Sequence, residues 1–161
     1  MIRPATSNDA KAIAVIYNYY ILNTQITFEE SPVDEQAISI RILAEPKLPW
    51  LVFEESNQVI GYCYATPWKS RSAYRYTLEC SVYVMDSHQN KGIGKKLYLA
   101  LIQNLKNKGF HSVLAGISLP NKVSVSFHEK LGFKKVGQLE QVGFKFKEWI
   151  DVGYWQYVLN K

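Results

Sequence analysis

The stretch from Tyr74 to Ile117 constrains the fold more than any other part of the chain. Tyr74 to Val84 is rich in β-branched and aromatic residues and reads as a strand. Lys91 to Lys108 carries Ile93, Leu97, Leu99, Leu101, Ile102 and Leu105 at helical spacing and closes on Gly109, a residue that accepts the left-handed conformation after a helix. Ser112 to Ile117 reads as a second strand. Strand, helix and strand at this spacing predict a parallel pair joined by a right-handed crossover.

The flanking segments fit the same layer. Ile2 to Pro4 is a short strand, and a helix over Asp9 to Asn23 follows from Ala12, Ile13, Val15, Ile16, Tyr19, Tyr20 and Leu22. A second helical stretch starts at Ser31-Pro32 and is stopped by Pro46 and Pro49. Leu51 to Phe53 and Val59 to Ala65 form a hairpin around a polar turn. Lys122 to Leu131 is a helix closed by Gly132, and Phe133 to Leu139 and Trp149 to Leu159 are strands. The prediction is a single mixed α/β domain over residues 1–161.

Composition excludes several functions. The 19 Lys and Arg against 14 Asp and Glu leave a charge of +5, spread without long basic runs, which suits an anionic small molecule better than nucleic acid. Cys63 and Cys80 sit in apolar runs with no C-x-x-C spacing, so core packing is expected. His88, His111 and His128 are too far apart for a metal pattern, and no metal is expected. No run reaches the roughly 18 apolar residues of a membrane span, and no leader precedes the fold, so a cytoplasmic location without membrane partners is expected.

Chemistry is concentrated after Val82-Tyr83-Val84. There Gln89-Asn90-Lys91-Gly92-Ile93-Gly94-Lys95 opens a helix. Glycines allow close backbone approach, and the free N–H groups of a first helical turn form an anion cradle, to which Lys91 and Lys95 add charge. A plain loop needing positive φ is the alternative. A P-loop fails because Lys96 follows Gly94-Lys95, and the spacing of a dinucleotide fingerprint is absent.

These residues resemble the GNAT acyltransferase superfamily. Gln89 to Gly94 matches its Q/R-x-x-G-x-G/A signature, Ile2-Arg3-Pro4-Ala5-Thr6 with Asp9 is similar to its opening, and Asn121 with Ser126 to Phe133 is similar to its second signature. Within it, Thr27-Phe28-Glu29-Glu30, Tyr62 to Ala65, Trp68 to Val84 and the tail Gly143-Phe144-Lys145 with Trp149 to Gln156 resemble phosphinothricin and methionine sulfoximine N-acetyltransferases.

The resemblance implies a mixed, mostly antiparallel sheet with a splayed parallel central pair flanked by helices. It also implies acetyl-CoA as co-substrate, direct transfer to a primary amine in a ternary complex, and homodimer formation. Cofactor contacts are expected from Val82, Tyr83, Val84, Gln89, Asn90, Lys91, Gly92, Ile93, Gly94, Lys95, Asn121 and Ser124. Asn121 and Ser124 read equally well as helix-start caps.

Glu79 is the expected general base, its alternative being an ion pair with Arg75 or a lysine. His128 stands where many relatives have a tyrosine that protonates the departing thiolate, and it reads equally as a packing residue. Alternation puts Thr77, Glu79, Ser81 and Tyr83 on one strand face and Leu78, Cys80, Val82 and Val84 on the other. A bulge of the kind the resemblance implies would break that phase. Arg71, Arg75 and Lys145 are the expected cations for an anionic amino acid, with Phe28, Tyr74 and Thr77 beside them. Acetylation of a polyamine or a protein N-terminus, and a non-catalytic acyl-CoA-binding module, are the competing readings.

Overall fold

Asp34 sets where the second helix begins. The computed structural model describes residues 1–160. In it the Asp34 carboxylate accepts from Ala37 N at 2.7 Å, and α2 runs Glu35–Leu43. The expected start at Ser31 is lost because Asn18 takes both backbone groups of Val33, at 2.8 Å each, and holds that stretch extended. Asn18 lies on α1 (Ala10–Asn23), which follows a 3-10 turn at Ser7–Asp9. Asp9 accepts from Thr6 N and takes a two-point grip from the Arg3 guanidinium, tying the turn to β1 (Ile2–Pro4).

The remaining elements are β2 (Trp50–Glu55), β3 (Gln58–Pro67), β4 (Thr77–Val84), α3 (Ile93–Asn107), β5 (Ser112–Leu119), α4 (Lys122–Lys130), β6 (Lys134–Lys145) and β7 (Glu148–Val158). β4 begins three residues later than its composition predicts. Ser72–Tyr74 instead forms a 3-10 turn, closed by Arg75 N donating to Ser72 O at 3.1 Å. β6 extends past its predicted end at Leu139. Its pairing with β7 breaks between Leu139 and Gly143, and that irregularity hides the strand's period.

All seven strands lie in one sheet, ordered β1-β2-β3-β4-β5-β7-β6. Every pairing is antiparallel except that of β4 with β5. The parallel ladder lasts only from Thr77↔Ser112 to Glu79↔Leu114. Beyond it β4 stays with β3 as far as Val84, while β5 stays with β7 as far as Leu119. The sheet therefore splits immediately after Glu79, leaving a wedge between its two halves.

Pairing of β3 with β4 has no register shift, so no bulge disturbs the alternation along β4. Leu78 and Cys80 bury with Cys63 against Leu97, Leu101 and Leu105 of α3. Tyr83 buries on the opposite face with Tyr17, Tyr20 and Tyr62, under α1 and α2. Each fully buried leucine contributes about 1.5–3 kcal/mol, and the two cores hold the wedge from both sides. Among the described residues no helix is long and apolar enough to cross a membrane.

Candidate active site

On one side of the wedge lies a groove of about 480 Å³, walled by Val82 and Val84 of β4, the turn into α3, and Asn121, Ser124 and Phe127 at the start of α4. Gly92 caps α3 at φ +75°, with no neighbour that an added Cβ would touch, so glycine is required by conformation and not by crowding. No side chain caps this helix. The N–H groups of its first turn are thus left to a ligand, with Lys95 on the wall beside them.

Of the expected cofactor contacts, Val82, Val84, Gln89, Asn90, Gly92, Ile93, Gly94, Lys95, Asn121 and Ser124 line the groove. Asn121 is also a cap, its Oδ1 accepting from Ser124 N at 3.0 Å. Tyr83 and Lys91 do not line it. The strand's alternation turns the Tyr83 ring to the other face, and Lys91 is exposed beyond the rim. Residues the sequence reading missed also contribute, above all Tyr20, whose hydroxyl donates to Val84 O at 2.5 Å and accepts from Gln89 Nε2 at 3.1 Å.

His128 does not line the groove. It is 6% exposed, its Nδ1 lies 2.8 Å from Ser124 O, and its ring packs edge-on against Tyr98, Phe127 and Phe133. Its neighbour Phe127 forms the groove wall instead. Burial pushes its pKa below the ordinary histidine value, favouring the neutral ring of a packing residue.

A second cavity, of about 340 Å³, lies across the wedge. Glu79, Ser81 and Tyr83 line it from β4, Tyr64 from β3, Gly116 and Ser118 from β5, Tyr154 from β7, and Tyr17, Thr27 and Phe28 from α1 and the loop after it. Ile26 lies on the wall of both cavities. Among the described residues Glu79 has no ion pair, and burial alone raises its pKa above the ordinary carboxylate value. The alternative of an ion pair with Arg75 is not what the structure shows. The Arg75 guanidinium donates to Ser72 O and stacks 4.6 Å over the Tyr76 ring.

Only Phe28 of the expected acceptor contacts reaches this wall. Arg71, Tyr74 and Arg75 are exposed around the 3-10 turn, and Thr77 sits at the start of β4, paired with Ser112. Lys145 is 1% exposed, with its Nζ donating to Thr27 O at 2.7 Å, and burial lowers its pKa. It holds the loop that carries Phe28 and does not face the cavity. Among the described residues no Lys, Arg or His lines the cavity; its polar groups are Glu79 and hydroxyls. One of these, Tyr17 Oη, lies 2.7 Å from Thr27 Oγ1 and donates to Glu29, itself gripped at two points by Arg41.

The sequence profile of the Acetyltransferase (GNAT) domain matches residues 2–153. The chain belongs to the GNAT acetyltransferase family. Among GNAT relatives, the phosphinothricin N-acetyltransferase of Streptomyces viridochromogenes is 43% identical over 96% of this chain and 85% of its own length. The L-methionine sulfoximine/L-methionine sulfone acetyltransferase of Salmonella typhimurium is 39% identical over 99% and 95%. The crystal structure of a GNAT superfamily phosphinothricin acetyltransferase from Sinorhizobium meliloti in complex with acetyl-CoA superposes with a TM-score of 0.93 at 33% identity, covering 98% of this chain and 87% of that one.

Proposed function

We propose that this GNAT domain, residues 1–161, transfers acetyl from acetyl-CoA to the α-amine of a small amino acid or analogue such as phosphinothricin or methionine sulfoximine. The observation that carries the proposal is the end of the parallel ladder at Glu79. There the sheet opens between a groove that ends at a helix start no side chain caps and a cavity that holds a half-buried carboxylate with no ion pair among the described residues. The helix start and Lys95 suit a pyrophosphate, while Val82, Val84 and Phe127 suit the less polar arm that follows it. Relatives named for phosphinothricin and methionine sulfoximine support the choice of acceptor.

Glu79 removes a proton from the acceptor ammonium, and burial makes its carboxylate a stronger base than an exposed one. The freed amine attacks the thioester carbonyl within one ternary complex. A C–N bond forms, the C–S bond breaks, the departing sulfur takes up one proton, and a second proton from the nitrogen reaches solvent. A single carboxylate in a wall of hydroxyls does not match a polyamine, which carries several cations.

The free, buried thiols of Cys63 and Cys80 support a reducing, cytoplasmic setting. Exposed Val136, Leu139, Val142, Phe144 and Trp149 along β6 and β7 support a homodimer. The proposal is tested by following free-thiol release from acetyl-CoA with methionine sulfoximine, phosphinothricin, spermidine and a lysine peptide. Turnover confined to the first two supports it. Turnover on spermidine or the lysine side chain, or CoA binding without turnover on any amine, contradicts it.

A further inference from the structure

Beyond Glu79 the edge of β4 that faced β5 has no strand beside it. Met85 N donates to Ile60 O at 2.8 Å, and the register of β3 with β4 sets Tyr83 opposite Tyr62 and Ser81 opposite Tyr64. Backbone groups alternate in direction along a strand, so Ser81, Tyr83 and Met85 turn theirs to β3, while Val82 and Val84 turn theirs into the wedge. By then β5 is paired only with β7. The N–H and C=O of Val82 and the N–H of Val84 are therefore open to an extended arm lying in the groove. Val84 O is the exception, because the Tyr20 hydroxyl donates to it at 2.5 Å.

The same hydroxyl accepts from Gln89 Nε2 at 3.1 Å, and that amide also donates to Asp86 Oδ1 at 3.2 Å. Both N–H groups of Gln89 are spent in this way, and its remaining oxygen can only accept. Although Gln89 lies on the groove wall, its side chain has nothing to donate to an anion and acts as a strut. Three residues later Gly92 caps α3. Tyr20 itself is 6% exposed, with its ring edge-on to Tyr83 at 5.1 Å, so α1 presents the hydroxyl from a buried position. One phenol oxygen thus ties the end of the open strand edge to the turn that leads into the anion cradle.

Resting on the acetyl-transfer reading above, we infer that Tyr20 is a positioning residue for the acyl donor. It fixes the distance between the open edge of β4 and the first turn of α3, and so selects a donor whose amides and pyrophosphate are spaced as they are in CoA. Tyr20 does not line the acceptor cavity, which confines its effect to the donor.

The test measures kcat/KM of the parent enzyme and of Tyr20→Phe with acetyl-CoA and with acetyl-pantetheine, which keeps the thioester and both amides but lacks the pyrophosphate. Methionine sulfoximine is the acceptor, and calorimetric titration reads the Kd for CoA. Tyr20→Phe is expected to lose about tenfold with acetyl-CoA, the worth of two modest hydrogen bonds. The loss should lie in KM and be mirrored in the Kd, while acetyl-pantetheine loses less than about twofold. Gln89→Leu cuts the strut from its exposed end, should Tyr20→Phe melt early. It is expected to give a similar loss, and the double variant no more than either alone. Equal losses with both donors, an unchanged KM and Kd, or losses that add in the double variant overturn the inference. A parent enzyme that binds CoA and acetylates no amine overturns the acetyl-transfer reading, and the Kd for CoA in parent and variants still decides the role of Tyr20.

Discussion

Gly116 faces Glu79 across the opening in the sheet, and a Cβ built on Gly116 would lie 3.0 Å from Glu79 Oε1 and 3.4 Å from the Tyr154 ring. The two residues sit on strands that have just parted, since the last parallel pair is Glu79↔Leu114. A glycine at this point leaves the carboxylate the space it occupies.

Gly116→Ala is accordingly expected to displace the carboxylate and to lower kcat by about tenfold to a hundredfold, the scale of a misplaced reacting group. Strand propensity favours alanine by about 0.5–1 kcal/mol, so the melting temperature should not fall. Steady-state kinetics with a thermal melt would separate the two effects.

Glu79 should also cost the fold stability. Its pKa is raised in the folded state by burial, so on unfolding it returns to about 4.3 and loses protons more readily. Below the unfolded value both states are protonated and there is no penalty. As pH rises from there through the folded value the penalty appears, and above it the penalty is complete. Glu79→Gln should therefore melt higher than the parent chain at pH 7, with the gap closing near pH 4. Melting curves across that range check the sign.

Phe28 lines the acceptor cavity and packs against Gly143, where an added Cβ would fall 2.3 Å from its ring. Gly143→Ala should push the ring off the wall, raising KM for the acceptor more than it changes kcat and destabilising the fold by about 1–3 kcal/mol, the usual scale of overpacking. Acceptor titration at fixed acetyl-CoA, with denaturant unfolding, reads both.

The two-residue turn between β6 and β7 holds Phe146 and Lys147 at φ +54° and +64°. Such turns favour glycine at the second position. Lys147→Gly relieves a left-handed penalty of about 1–2 kcal/mol against about 0.5–1 kcal/mol of extra chain entropy lost by glycine, and should stabilise the chain on balance, read as a shift in denaturant midpoint with an unchanged slope.

The groove was largely legible in the sequence because its parts are local. Gln89 to Lys95 is one turn, and the helix behind it announces itself through Leu97, Leu101 and Leu105. The phase of β4 was legible too, and it put Glu79 opposite Leu78 and Cys80 correctly. The acceptor cavity was not. Tyr17, Tyr64 and Tyr154 come from α1, β3 and β7, and only the strand order brings them together. Charge suggested Arg71, Arg75 and Lys145 for its wall, but the 3-10 turn at Ser72–Tyr74 keeps the first two outside, and Thr27 O holds the third. The role of His128 depended on whether its ring reached the groove, and a helical position alone does not decide that.

In the proposed mechanism Glu79 takes the proton from the acceptor amine. The direct measurement is kcat for Glu79→Gln with methionine sulfoximine, made beside a titration of CoA binding to the same variant. A fall in kcat of about a hundredfold or more, the usual contribution of a general base, is expected, with CoA affinity unchanged because Glu79 lies outside the groove. A kcat within about threefold of the parent enzyme, a difference of less than 1 kcal/mol in barrier, would contradict it.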